Sequence, residues 1–93
     1  MIKSFRDRDT ERIFNRQRVK RFSLSKQKLA QRKLDLIDGA DLIEDLRTPP
    51  GNRLEKLSGN RKGQYSIRVN DQWRICFCWK SGQATDVEVV DYH

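Results

Sequence analysis

The chain has 93 residues, of which 35% are hydrophobic, and this fits one domain over residues 1–93 with a single modest core. A formal charge of +7 favours a polyanionic partner such as nucleic acid, although a solvated basic surface has the same composition. No apolar run approaches the roughly 18 residues that cross a bilayer, and the start lacks the apolar segment of a secretion signal, so we expect a cytoplasmic protein without a membrane partner.

The first part of the chain predicts one short strand and one helix. IKSF at residues 2–5 has the pattern of a strand, and DTERIFNRQ predicts a helix with Asp9 or Thr10 as its cap. Residues 15–28 then carry six basic side chains and no acidic ones. Because like charges repel and little apolar surface is present, we expect a mobile connection there. We interpret it either as an electrostatic contact with RNA or as a plain linker.

The next part predicts a second helix and then a change of pattern. From Ser25 onward, apolar residues recur at helical spacing, with a break at Gly39 and an end at RTPPG, residues 47–51. After Gly51 the apolar residues alternate, as they do in strands. We expect four strands, around residues 53–58, 63–69, 73–80 and 84–92.

The stretch SIRVNDQWRICF predicts a β-hairpin in which the loop length decides which side chains share a face. A three-residue loop at residues 70–72 pairs Ile67 with Ile75 and leaves one face wholly apolar, so that it can pack on the helices. The same register pairs Arg68 with Arg74 on the other face. A two-residue loop would set a cation opposite Ile67, which burial disfavours, so we predict the three-residue loop.

This register also predicts a polar cluster on the second sheet face, which we expect to be open to solvent. A carboxylate, two guanidiniums and a phenol join an acid and an imidazole at the adjoining strand end; the members are Glu55, Arg68, Arg74, Tyr92, Asp91 and His93. Such groups supply the base, the acid and the cations that phosphodiester cleavage needs without a metal. The alternative is a solvated sheet face with an ion pair.

The two cysteines, Cys76 and Cys78, alternate with apolar residues on the third predicted strand. A disulfide between such positions on one strand is awkward, so we interpret both as reduced packing residues. Two cysteines and one histidine are too few for a metal site, and neither CxxC nor HxxxH spacing occurs. We therefore expect no metal and no cofactor.

The segment GNRLEKLSGNRKGQYSIRVNDQWRICFCW, followed by VEVVDYH at the terminus, resembles the HigB toxins of the RelE/ParE superfamily, especially the branch that includes GraT. The resemblance covers nearly the whole chain and is weakest over residues 15–28. It implies an α+β fold with N-terminal helices packed on a twisted, mainly antiparallel β-sheet, a RelE-like fold of microbial-ribonuclease type. It also implies a toxin of a type II toxin–antitoxin system that cleaves mRNA in the ribosomal A site.

The resemblance further implies the partners and the site residues. The family's usual antitoxin is a HigA protein with a helix-turn-helix fold, so we expect a HigA-like antitoxin, the ribosome and mRNA as partners, and operator DNA only through the antitoxin. Carried over by position, the family arginine that follows a tryptophan falls on Arg74. The acidic residue, the tyrosine and the histidine of the terminus fall on Asp91, Tyr92 and His93.

Two positions depart from the HigB pattern. Glu55 and Ser58 stand where well-studied HigB enzymes have a histidine and a lysine. Other branches of the superfamily use a glutamate as the base, which makes Glu55 a candidate base, and Lys56 or Lys62 is a candidate for the missing cation. We expect RNA to contact four basic residues of this half of the chain: Arg68, Lys56, Arg61 and Lys62.

Three other functions fit the same sequence. A non-catalytic protein that binds RNA or the ribosome would share the basic surface, and so would a toxin that acts on ribosome assembly. A gyrase inhibitor of the ParE type would share the implied fold. Cleavage of translated mRNA would favour the endoribonuclease, and DNA damage would favour the gyrase inhibitor.

Overall fold

The computed structural model describes residues 1–91, so the predicted site residues Tyr92 and His93 lie outside the described residues. Two α-helices precede a four-stranded sheet: α1 (Arg8–Phe14), α2 (Leu24–Gly39), β1 (Glu55–Lys56), β2 (Gln64–Arg68), β3 (Trp73–Lys80) and β4 (Gln83–Asp91). The strands lie in the order β1-β2-β3-β4, and each neighbouring pair is antiparallel. This architecture confirms the predicted α+β class.

Both helices begin at a side chain that caps the first turn. Asp7 accepts a hydrogen bond from the Thr10 amide at 3.1 Å and so caps α1, which makes the predicted caps Asp9 and Thr10 wrong. Ser23 caps α2 in the same way. The predicted break at Gly39 is confirmed, because α2 ends at this residue.

The basic connection between the helices is anchored to α2 and to the core, which contradicts the expectation that it has little apolar surface to order it. The buried side chain of Gln27 donates a hydrogen bond to the Gln17 carbonyl at 2.7 Å and accepts one from the Val19 amide at 2.9 Å. Val19 and Phe22 are buried in the hydrophobic core. One amide and two apolar side chains thus order a segment whose charge suggested disorder.

The first predicted strand is instead a pair of isolated parallel bridges to β4. Backbone hydrogen bonds join residues 1–6 to Ala84 and Val87 of that strand, with N–O distances of 2.8 to 3.1 Å. Beyond them, the buried Thr10 hydroxyl accepts a hydrogen bond from the Val89 amide at 2.9 Å. The N-terminal residues and α1 therefore lie along the edge of β4 that does not pair with β3.

The predicted hairpin register is confirmed. Ile67 lies opposite Ile75, and Arg68 lies opposite Arg74. The pairing of β3 with β4 is interrupted by an irregularity between Cys76 and Cys78. On the helix side of the sheet, fully buried apolar side chains pack with those of α1 and α2; they are Ile67, Ile75, Phe77 and Val87 with Ile13, Leu34 and Ile37.

Candidate functional site on the second sheet face

The second face of the sheet is closed over Arg74, so the prediction of an open face is wrong at this residue. Arg74 is only 8% exposed. Its Nε donates to Ser66 Oγ at 2.9 Å, and its Nη2 donates to the Arg53 carbonyl at 2.7 Å and the Ser66 carbonyl at 3.4 Å. The guanidinium is therefore fixed in position by neutral acceptors from β2 and from the segment before β1.

A turn ahead of β1 supplies the carbonyl that receives Arg74. It ends at Arg53, whose φ of 45° is left-handed and uncommon for a residue other than glycine. The fully buried Asn52 holds this turn by donating to the Leu46 carbonyl at 3.1 Å and the Thr48 carbonyl at 3.3 Å. This short irregular segment, which has no helix or strand periodicity, covers the arginine.

The structure brings Glu55 and Arg74 together, as the register predicted. Glu55 lies opposite Ser66, whose hydroxyl is bonded to Arg74. The Glu55 Oε1 is 3.9 Å from Arg74 Nη2, and 53% of the Glu55 side chain is exposed. A solvent-accessible carboxylate therefore lies beside a guanidinium that hydrogen bonds to Ser66 and Arg53 fix in position.

Arg61 and Glu88 form a second, more enclosed ion pair on this face. Arg61 Nη1 is 2.7 Å from a carboxylate oxygen of Glu88 and 3.1 Å from the Gln64 side-chain oxygen. Glu88 lies opposite the fully buried Cys76. Burial raises the pKa of the Cys76 thiol, Glu88 raises this pKa further, and Arg61 and Arg74 lower it.

Both cysteines are free thiols, which confirms the prediction that they are reduced. Cys76 is buried within the second face, whereas Cys78 is half-buried. A buried thiol with a raised pKa holds little thiolate at neutral pH, which is the form that reacts. Cys76 is therefore a packing group of the site and not a nucleophile.

Arg68 lies beside Arg74 in the sheet, but its guanidinium turns toward the hairpin loop and pairs with Asp71. Near it, the Lys33 ammonium of α2 donates to Asn52 Oδ1 at 2.5 Å. Burial lowers the pKa of Lys33, and repulsion from Arg68 lowers this pKa further. Lys33 thus contacts the turn that precedes β1, and Arg68 lies near enough to repel its charge.

The remaining predicted residues lie in different places. Asp91 lies opposite Trp73, on the other face from Arg74, and its carboxylate accepts from the Gln72 side chain at 3.1 Å. Lys56 and Lys62 are exposed. Tyr92 and His93, being outside the described residues, keep their predicted roles as predictions.

An open polar cavity of about 340 Å³ gives access to this face. Its wall combines the carboxylate, two cations, one apolar residue and two small polar residues; they are Glu55, Lys56, Leu57, Ser58, Asn60 and Arg61. The cavity admits an anionic ligand against Lys56 and Arg61 while Glu55 remains accessible. Such a wall suits a flexible phosphodiester better than an apolar small molecule.

Residues 1–91 hold neither a cluster of metal ligands nor a helix that could cross a membrane. Within residues 1–91, no three His, Cys, Asp or Glu side chains come close enough together to hold a metal ion. Neither helix in that part of the chain combines the length and apolarity needed to cross a bilayer.

Solved structures with this arrangement of helices and strands identify the fold class. The YoeB–YefM complex from Staphylococcus aureus matches with a TM-score of 0.63 at 17% identity, covering 100% of this chain and 98% of the matched chain. A heterotetrameric YoeB–YefM toxin–antitoxin complex from the same organism matches with a TM-score of 0.60 at 18% identity. The chain therefore has the fold shared by these structures.

The sequence then identifies the family. The sequence model of the family described as "RelE-like toxin of type II toxin-antitoxin system HigB" matches residues 3–93. This chain belongs to that HigB-like toxin family, which confirms the resemblance found on the residues themselves.

Three relatives add detail. Toxin HigB-1 of Vibrio cholerae serotype O1 is 57% identical over 53 residues, which are 57% of this chain and 56% of that protein. A Haemophilus influenzae protein is 40% identical over 60 residues, or 64% of this chain and 59% of that protein. These two matches thus span little more than half of each relative. Endoribonuclease HigB of Proteus vulgaris is 31% identical over 93 residues, which are 100% of both chains.

Four groups that position the candidate site carried no signal of that role in the sequence. Ser66 binds Arg74, and Glu88 pairs with Arg61. Asn52 and Lys33 carried no motif, because one lies in an irregular turn and the other on a helix far away in sequence. The pair Pro49-Pro50 before Asn52 was the one visible signal that the chain turns sharply there.

Proposed function

We propose that the protein is a toxin that cleaves mRNA on the ribosome and thereby stops translation and growth. It acts in the cytoplasm, where translated mRNA is found, and a HigA-like helix-turn-helix antitoxin restrains it. Operator DNA is reached only through that antitoxin. Membership of the HigB-like toxin family supports the toxin role, and the name of the Proteus vulgaris relative supports RNA cleavage.

The observation that carries the proposal is the Glu55–Arg74 pair at the edge of the polar cavity. General base catalysis needs an accessible carboxylate, and Glu55 is half-exposed. Stabilisation of a developing phosphorane needs a donor held in place before the reaction, and Arg74 is fixed by three hydrogen bonds. The two groups are 3.9 Å apart, so one phosphodiester can reach both.

The proposed reaction is attack of a ribose 2′-OH on its own 3′-phosphate. The 2′-proton passes to Glu55 or to His93, the new bond forms between the 2′-oxygen and phosphorus, and the bond to the 5′-oxygen breaks. When Glu55 is the base, His93 gives a proton to that 5′-oxygen, and when His93 is the base, water gives it. Asp91 lies two residues before His93 in sequence, and Tyr92 stacks on a base. The products are a 2′,3′-cyclic phosphate and a 5′-OH end, so the substrate is RNA.

The cations of the site have separate roles in the proposal. Lys56, Arg61 and Lys62 attract the RNA backbone toward the cavity, and Arg68 holds it beyond Arg74. We also propose that no metal takes part, because within residues 1–91 the carboxylates and cysteines do not gather as ligands. With few acid–base groups of its own, the enzyme relies on the ribosome to bend mRNA into line for attack.

The test is cleavage of translated mRNA with Glu55→Gln set against a matched control. Glu55→Gln should slow cleavage at least about a hundredfold, the usual lower range for removing a general base or acid. Glu44→Gln, the same change at an exposed glutamate outside the site, should leave the rate unchanged. Mapping the products for cyclic phosphate and 5′-OH ends checks the chemistry.

A second candidate, a toxin that binds the ribosome without cleaving RNA, is favoured by one observation. Arg74 is buried and bonded to protein acceptors, which suits a purely structural role. In that case the parent would stop growth while translated mRNA stays intact. DNA breaks in arrested cells would instead point to gyrase.

A further inference from the structure

Lys33 and Arg68 form a pair of cations with little negative charge around them. The Lys33 ammonium is held by a neutral acceptor, Asn52 Oδ1, and among residues 1–91 it forms no ion pair. Asp71, the partner of Arg68, has a fully exposed side chain in the hairpin loop. Exposed ion pairs contribute little stability, so Asp71 compensates the two cations weakly.

The position of these cations is unfavourable for the protein alone. Burial and Arg68 both lower the pKa of Lys33, which means that the folded protein resists the charged form of this side chain. A methionine or leucine would fill the same half-buried position on α2 at no electrostatic cost. A charge kept at a cost to folding indicates a ligand of opposite charge.

The place of the pair relative to Glu55 and Arg74 identifies that ligand. Lys33 binds Asn52, and the next residue, Arg53, presents the carbonyl that receives Arg74. Arg68 is the direct cross-strand neighbour of Arg74. Both cations therefore lie near Arg74, Arg68 beside it in the sheet and Lys33 on the turn whose carbonyl Arg74 contacts.

We propose that Lys33 and Arg68 form a phosphate-binding subsite, which grips the RNA backbone at a phosphate next to the one that is cleaved. The inference rests on the proposed function for the identity of the strand. Lys33 supplies a point charge that Asn52 orients, and Arg68 leaves Asp71 to donate two parallel hydrogen bonds to phosphate. Lys33, from a helix with no motif, becomes a positioning residue of the site.

The test uses ribosomes programmed with a short mRNA that carries 2′-O-methyl groups in the A-site codon, so that binding is measured without cleavage. The proteins titrated are the labelled parent, the subsite variants Lys33→Met and Arg68→Gln, and the matched control Lys80→Met, which changes an exposed lysine at the end of β3 away from Arg74. Each subsite substitution should weaken binding about tenfold, the scale of one hydrogen bond to a charged group. Lys80→Met should have no effect.

A second set of mRNAs locates the contact. Each has one phosphate near the cleavage position replaced by an uncharged methylphosphonate. At one linkage the parent should lose about tenfold in affinity, and Lys33→Met and Arg68→Gln should lose nothing further there, because the contact is already absent. Arg68→Gln leaves the Lys33–Asn52 bond intact, so a fault in that turn cannot imitate this result.

The outcomes separate the subsite from the cleavage activity. The subsite would be overturned if the substitution and the methylphosphonate weaken binding additively at every linkage, or if both subsite variants bind like the parent, even when the parent cleaves unmodified mRNA. It would be supported if, at one linkage, the substitution causes no further loss once the methylphosphonate is present. If that result comes with a parent that leaves unmodified mRNA intact, the subsite stands as an RNA contact and the cleavage reaction is refuted.

Discussion

The two faces of β3 are buried to a similar degree by different means. Ile75 and Phe77 face the helices and are fully buried among other apolar side chains. Arg74 and Cys76, on the other face, are 8% and 0% exposed although charged and polar groups surround them. The first face is buried by shape and apolar contact alone. The second face stays buried only while each polar group keeps its hydrogen-bond or ion-pair partner. It is also the face that carries the candidate functional site.

The largest effect that separates the faces should come from Phe77→Ala. The change leaves a cavity among fully buried side chains, which costs about 3–5 kcal/mol in unfolding free energy. Cys76→Ala, one residue away on the other face, removes a single sulfur and should cost on the order of 1 kcal/mol. Urea unfolding of both variants checks the difference. Equal losses would mean that the second face is packed as tightly as the core.

The second largest effect concerns Arg74. Arg74→Ala should lower the cleavage rate about a hundredfold or more, the scale for removing one group that stabilises a developing oxyanion. It should also lower the unfolding free energy by roughly 1–3 kcal/mol, because the buried Ser66 hydroxyl loses its partner. Arg74→Lys should recover part of the activity, since an ammonium cannot replace the planar guanidinium.

The control for Arg74 is Arg8→Ala at an exposed position of α1, which should change neither the cleavage rate nor the unfolding free energy. Cleavage and urea unfolding are measured on the same purified proteins. A folded Arg74→Ala protein as active as the parent would assign the residue to structure alone.

A smaller effect is expected for the ion pair between Arg61 and Glu88. Glu88 is 16% and Arg61 is 34% exposed, so the pair is only partly screened by water. A double-mutant cycle with Arg61→Gln and Glu88→Gln should give a coupling energy of about 1 kcal/mol, measured by urea unfolding. A coupling near zero would mean that the second face is organised by Arg74 without this pair.

The smallest effect is a dependence of stability on alkaline pH. The pKa of Cys76 is raised in the folded state, so the thiol is neutral in both states at low pH and contributes nothing there. Above the ordinary thiol pKa of about 8.5 the unfolded chain ionises first, and stability should fall as the pH rises further. Cys76→Ala should show a shallower fall than the parent in urea unfolding between about pH 8 and pH 10.

Thiol labelling gives the matching kinetic comparison. In the native protein the half-buried Cys78 should react with a disulfide reagent faster than the fully buried Cys76, whose thiolate is disfavoured. Both thiols should react at once in urea. Equal rates in the native state would show that the second face opens readily.

The sheet could be predicted from the sequence, but the cover of its second face could not. The apolar alternation and the loop at residues 70–72 predicted the register, because a three-residue loop, unlike a two-residue loop, keeps Arg74 off the apolar face. The burial of Arg74 depends on the Arg53 carbonyl, which an irregular turn without periodicity places there. The order of the basic connection likewise depends on one side-chain amide, that of Gln27, which composition does not reveal.

The bonds between the N-terminal residues and β4 have a consequence for how a partner chain can attach. A strand at the margin of a sheet exposes amides and carbonyls that invite another strand to join, in aggregation or in recognition. Here residues 1–6 and the Thr10 hydroxyl occupy those groups between Ala84 and Val89. An antitoxin therefore cannot extend the sheet along this part of β4 without displacing the N-terminal residues. At this part of β4 an antitoxin can contact only side chains, so its recognition of the toxin there depends on surface residues and not on backbone pairing.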